Sequence, residues 1–278
     1  MKCKTCLSAF IILMFLYPPA GVAFVPQTPH LLHMVVQKIK QPSGLEVQVT
    51  RTVVNCDDSG AAENTAFSET LRYQFPGRFR SDLASDPAGS FGVESGFEFI
   101  RVEGGETVSR EKSPIDLYTD ILLYRDHETL LGQLALTGID VSRVSFQRYE
   151  GTICWVVGQP GENNEPFAGL WVEKDTFLPL KYAVEKNGWM IECRYSNWQR
   201  ISRTWYPMQV SIFLDNQLYA HIDVSDIRLE SGFEKSLFDI ARIERMYPEK
   251  IPFREPDQEP DGMDEINRRI EEFKKLYE

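Results

Sequence analysis

The stretch LPLKYAVEKNGWMIECRY, residues 178–195, decides the fold. Asn187 and Gly188 are the residue types that supply the left-handed backbone of a two-residue hairpin turn. Folding the chain there sets Val184 opposite Ile191, Tyr182 opposite Cys193 and Leu180 opposite Tyr195. These side chains then share one face, and a one-residue slip would turn the whole set toward water. The stretch therefore reads as an antiparallel pair with one oily side.

The same test extends outward. A loop at Lys174, Asp175 and Thr176 pairs Val172 with Leu178 and Leu170 with Leu180. One at Asp215, Asn216 and Gln217 pairs Leu214 with Leu218, Ile212 with Ala220, Val210 with Ile222 and Met208 with Val224. Glu150 and Gly151 bring Phe146 to Trp155 and Val144 to Val157. Upstream, LRYQFPGRFRSDL (71–83) folds at Pro76, Gly77 and Arg78, so Phe75 faces Phe79 and Leu71 faces Leu83, with Tyr73 on the same side and Arg72 and Arg80 pointing away. Leu45, Val47, Val49 and Val53 alternate with Glu46, Gln48, Thr50 and Thr52, and FEFIRVEGGETVSR (97–110) reads as two more strands around Gly104 and Gly105. Ten or so strands joined by short hairpins predict an antiparallel sheet continuous in sequence order, and twist curls so many strands into a barrel or part of one.

The period changes to helical in two places. Thr28 as N-cap and Pro29 at the first position open a helix carrying Leu32, Val35, Val36 and Ile39, which QPSG at 41–44 ends. Between the strands, SPIDLYTDILLYRDHETLLGQLALTG holds two short helices, one with Leu117, Ile121 and Tyr124, the other with Leu130, Leu131 and Leu134 after a capping Asp126. These helices are the available cover for the concave apolar side. The expected class is α+β, mainly β: a curved antiparallel sheet forming an incomplete barrel covered by helices.

The ends differ in kind. Residues 1–23, with Lys2 and Lys4, an apolar run from Leu7 to Tyr17 and Gly21 and Ala23 at the small positions, read as a secretory signal cleaved after Ala23; the run is about half of the ~20 residues a spanning helix needs. The main domain is expected over 24–247. An acidic, proline-rich linker follows at 248–261, then an amphipathic helix at 262–278 with Met263, Ile266, Ile270, Phe273 and Tyr277 on one side, either docked on its own domain or offered to a partner.

Removing Lys2 and Lys4 leaves 28 basic residues against 41 acidic ones, a formal charge of −13, which argues against nucleic acid or anionic membrane as a partner. The mature cysteines are Cys56, Cys154 and Cys193; Cys154 and Cys193 project to opposite faces in the predicted register, so buried free thiols are expected. His30 and His33 share a helix face without a third metal ligand nearby, and His127 and His221 lie elsewhere. No H-E-x-x-H, G-x-S-x-G or G-x-x-x-x-G-K is present. The reading is of a protein that is no enzyme and needs neither metal nor cofactor.

FPGRFRSD (75–82), LWVEKDTFLPLKY (170–182), EKNGWMIECRYSNW (185–198), WYPMQVSIF (205–213) and LFDI (237–240), in that order around a helical interruption, resemble the periplasmic lipoprotein carrier LolA and its relatives. The resemblance covers roughly residues 28–240. It implies a Gram-negative periplasm and a hydrophobic half-barrel under a helical lid that holds lipoprotein acyl chains or another lipid. Partners would be an inner-membrane transporter and an outer-membrane acceptor, with the carrier a monomer. The lining would be Val47, Val49, Leu71, Tyr73, Phe79, Leu170, Val172, Leu180, Tyr182, Ile191, Tyr195, Val210, Ile212, Ala220 and Ile222; the lid residues would be Leu117, Ile121, Leu122, Leu130 and Leu134. The family carries an arginine before the proline of the 75–82 corner, where it helps hold the lid closed; here Phe75 stands there, and an apolar lid contact is expected instead. The alternatives are a dry core in place of a cavity, a lipid-binding accessory of an inner-membrane exporter, and a sensor domain related to regulators of anti-sigma factors.

Overall fold

A computed structural model describes residues 25–40, 42–56, 62–84, 89–161 and 165–249. The expected signal segment, most of the linker and the C-terminal helix lie outside the described residues. Helix α1 (Thr28–Ile39) precedes strands β1 (Gly44–Cys56), β2 (Ala62–Gln74), β3 (Arg78–Leu83), β4 (Phe91–Ser95), β5 (Glu98–Glu103) and β6 (Glu106–Ser109). A 3-10 turn (Pro114–Asp116), α2 (Thr119–Leu123) and α3 (His127–Leu136) follow. Then come β7 (Val144–Tyr149), β8 (Thr152–Val157), β9 (Gly169–Glu173), β10 (Pro179–Lys186), β11 (Trp189–Ile201), β12 (Thr204–Leu214) and β13 (Gln217–Glu230), a 3-10 turn (Lys235–Phe238) and α4 (Ile240–Met246).

Among the described residues, 13 strands form one antiparallel sheet, in the order β6-β5-β4-β3-β2-β1-β13-β12-β11-β10-β9-β8-β7. The expectation of a sheet continuous in sequence order is corrected at one place. The first and last strands pair, Val47 with Ile227 and Arg51 with Ile222, so the two free edges are β6 and β7. Those strands flank residues 110–143, and the helical segment therefore spans the mouth of the unclosed barrel.

The hairpin registers follow the turn chemistry, with three departures. At Asn187 and Gly188, both at positive φ, Val184 meets Ile191 and Tyr182 meets Cys193 as expected. Glu150 and Gly151 likewise set Phe146 on Trp155 and Val144 on Val157. The β2–β3 loop, however, occupies residues 75–77, with Gln74 opposite Arg78 and Tyr73 opposite Phe79. A three-residue loop needs its left-handed residue last, and Gly77, at φ 68°, fills that place where Arg78 would be strained. The two-residue shift keeps parity, so Leu71, Tyr73 and Phe79 still face inward.

Asp215 and Asn216, both left-handed, make a two-residue turn rather than a three-residue loop, so Leu214 pairs with Gln217 and Phe213 with Leu218. A bulge between Ile212 and Phe213 then restores Ile212 opposite Ala220 and Val210 opposite Ile222. Leu218 is left 44% exposed. In β10, Pro179 lacks the N–H that the ladder to β9 requires; Leu180 bulges out, and Tyr182 rather than Leu180 meets Leu170.

The inward residues of the wall form one buried cluster with Leu31, Leu32, Val35 and Ile39 of α1. Helix α1 starts at Thr28 rather than being capped by it: Gln27 holds the N-cap position, and the Thr28 hydroxyl donates to the Val141 carbonyl at 2.6 Å. Two smaller clusters cover the outer face. Phe238, Ile240 and Ile243 pack on Phe91, Val93, Ile100 and Val102, a use of the C-terminal segment that alternation alone did not predict. Cys154, Val156, Trp171 and Ala183 form the other. Cys154 and Cys193 are free, buried and on opposite faces.

Candidate functional site

The concave face is the candidate site. Val47, Val49, Leu71, Tyr73, Phe79, Leu170, Val172, Tyr182, Ile191, Tyr195, Val210, Ile212, Ala220 and Ile222 all lie in the main buried cluster, together with Leu117, Ile121, Leu122, Leu130 and Leu134. Leu180 does not: its bulge sends it to the outer face, beside Trp171 and Cys154. Where the sequence reading places a hollow, the helices' own side chains fill the space. The wall and its cover are packed as one core.

The seam between wall and cover is polar, which the sequence reading missed. Arg51 occupies an inward position of β1, opposite Ile222 and Phe67, and ion-pairs with Glu69 of β2 at 2.9 Å and with Asp116 of the 3-10 turn at 3.2 Å. Arg101 of β5 also binds Asp116. Burial alone would push Asp116 up, but Arg101 and Arg51 together hold it below the ordinary carboxylate range. A second group joins Lys112 to both Glu94 of β4 and Asp120 of α2, with the Tyr124 hydroxyl donating to Glu94. Two expected lining residues reach across as well: the Tyr182 hydroxyl donates to Asp120 at 3.2 Å and that of Tyr195 to the Tyr118 carbonyl at 2.9 Å. The available signal was parity, since Arg51 and Glu69 interrupt runs of apolar residues at inward-facing positions.

One lysine facing two buried carboxylates leaves an excess negative charge. Glu94 is 2% exposed, and burial raises its pKa above the ordinary value of 4.5, with Lys112 offsetting only part of the rise. A carboxyl raised in the folded state contributes stability that is present below pH 4.5 and lost as pH rises through its folded value. Glu94→Gln removes that dependence. Denaturant midpoints measured from pH 4 toward neutrality should fall less in the variant than in the wild type; parallel curves would refute the assignment.

The Phe75 position departs from an apolar lid contact. Phe75 is buried and stacks with Tyr73, but its lid neighbour is Arg125, whose guanidinium lies 4.7 Å from the ring centre. Arg125 lies two residues after the end of α2 and donates to the Leu122 carbonyl at 2.8 Å, the Lys40 carbonyl at 2.7 Å and the Thr204 hydroxyl at 2.6 Å. An arginine thus tethers the cover to the wall from the lid side. Among the described residues no three His, Cys, Asp or Glu side chains are placed to hold a metal ion. His33 instead meets the ring of His127 edge-on at 5.4 Å.

No protein-family model matches the sequence, and no curated protein matches it. Solved structures are similar in fold. A domain named as a putative outer membrane lipoprotein-sorting protein domain, from Vibrio parahaemolyticus, superposes with a TM-score of 0.52 at 10% identity, covering 78% of this chain and 98% of its own. A LolA superfamily protein from Nitrosomonas europaea gives 0.53 at 14% identity, covering 77% and 98%. These similarities establish the fold as the open, helix-covered barrel of LolA-type structures.

Proposed function

We propose that this chain is a periplasmic carrier that shelters the acyl chains of a lipoprotein or lipid against the concave wall and moves them toward the outer membrane. One observation carries the reading: the apolar wall is covered by a short helical segment that joins the two free edges of the sheet and is held by a polar seam. Such a cover is replaceable. Exposing the fully buried Ile121, Leu122, Leu130 and Leu134 would cost about 6–12 kcal/mol, while burying an acyl chain of ~15 methylenes yields about 12 kcal/mol. The two are of one magnitude, so loading is a near-balanced exchange, which a carrier that must also release requires.

The fold shared with the lipoprotein-sorting domain supports the cargo class. The test is calorimetric titration of the full chain with monoacylglycerols of increasing length, each added methylene tightening binding about fourfold. Hydrogen exchange of residues 114–136 should quicken on loading while β11–β13 stay protected. Affinity independent of chain length, or unchanged exchange, would overturn the reading. Mass spectrometry of protein taken from its native periplasm then identifies the cargo.

A further inference from the structure

Arg51, Arg101, Lys112 and Arg125 lie in or beside the polar seam, and the first three have carboxylates. Arg51 holds Glu69 and Asp116, Arg101 holds Asp116, and Lys112 holds Glu94 and Asp120. Arg125, 3% exposed, has none among the described residues: its partners are two carbonyls and one hydroxyl, and its Nη2 donates to nothing. Burial without a counter-charge pushes the group down to about 10. An unpaired guanidinium beside an oily core is costly unless something supplies the missing anion.

Its location says what. Arg125 sits among element ends: the last carbonyl after α1, the first residue of β12 and the Phe75 turn between β2 and β3. This is one rim of the half-barrel. A cleft of about 380 Å³ opens there, lined by Arg78, Phe97, Tyr124, Arg125 and Asp126 among others. Arg78 has no ion pair among the described residues, and Phe97 is 61% exposed. Asp126, the one carboxylate in the lining, is occupied in capping α3, accepting from the Glu128 and Thr129 amides.

We infer that the rim cleft binds the anionic head of the carried amphiphile, a phosphate or carboxylate oxyanion taken by Arg125 with Arg78 beside it, while the attached acyl chain enters the core. The inference rests on the carrier reading. Overall charge does not favour it by itself, since a chain of net −11 repels anions at long range. A preference for an anionic ligand must then come from a local site.

The experiment compares two probes that differ by one phosphate, 1-lauroylglycerol and 1-lauroylglycerol 3-phosphate, with laurate as the carboxylate arm, titrated into the full chain. The wild type should bind the phosphate or the carboxylate form roughly tenfold more tightly than the neutral one, the gain of a charge-assisted hydrogen bond. The tighter of the two arms tells a phospholipid-type head from a free fatty acid. Arg125→Gln should erase the preference and still bind 1-lauroylglycerol, which also shows that the variant is folded; Arg125→Lys should keep part of it. Equal binding of all three probes by the wild type, which needs no variant, or a preference that survives Arg125→Gln, overturns the inference and leaves the carrier reading standing. No binding of any probe overturns both.

Discussion

Arg51→Met is expected to destabilise the fold by about 3–5 kcal/mol, the range found when one partner of a buried ion pair is removed. Arg51 is buried on the inward face of β1, and its guanidinium bridges Glu69 of the wall to Asp116 of the cover. Methionine fills much of the same volume, so the loss measures charge rather than packing. Asp116 keeps Arg101, whereas Glu69 is left buried without a direct cation. Burial already raises Glu69 above the ordinary carboxylate value, so its contribution is fully present below pH 4.5 and declines as pH rises through the folded value. The penalty of the variant should accordingly shrink in acid.

Two controls separate this from a generic core defect. Arg51→Met combined with Glu69→Leu should recover most of the loss, because an apolar pair of similar volume replaces the ion pair without leaving a stranded charge. Hydrogen exchange of residues 114–136 should also rise in the single variant, since Asp116 loses one of its two anchors on the wall. Urea denaturation reads the first. A loss below about 1 kcal/mol, as for an exposed surface pair, would mean that the bridge does not hold the seam.

Leu130→Ala and Ile212→Ala should act alike on stability and oppositely on loading. Both side chains are fully buried in the same cluster, Leu130 from the cover and Ile212 from the wall, and either truncation should cost about 2–5 kcal/mol. Under the carrier reading the cover is displaced in the loaded state. Truncating Leu130 weakens only the closed state, so the binding-competent fraction grows, and a loss of about 2 kcal/mol there tightens apparent binding up to about thirtyfold. Truncating Ile212 removes surface that the acyl chain itself would contact, and binding should weaken. Titration of both variants with one monoacylglycerol decides. A cluster serving only as a dry core would lose stability in both cases and show no divergence in binding.

Legibility in the sequence followed the range of the interaction. Hairpins whose turns carry two left-handed residues at a glycine, Glu150–Gly151 and Asn187–Gly188, were readable to the residue because four adjacent side chains set the register. The errors came where a local device intervened: the left-handed demand at Gly77, the paired left-handed Asp215 and Asn216, and the missing N–H of Pro179. Only the Pro179 bulge moved a candidate lining residue, Leu180, to the other face; the remaining shifts kept parity or were repaired by a bulge.

Strand parity, and with it the identity of nearly every inward side chain, was determined by the sequence alone, since alternate residues of a regular strand face opposite sides; only a bulge such as that at Leu180 breaks the alternation. Tertiary structure alone decided that β1 closes on β13, that the opening falls under the helices, and that their side chains fill the wall's concavity. It also brought Arg51 to Asp116 across 65 residues and Arg125 to Thr204 across 79. Contacts at such separations depend on the curvature and closure of the whole sheet, a sum over many strands that no single turn or spacing encodes.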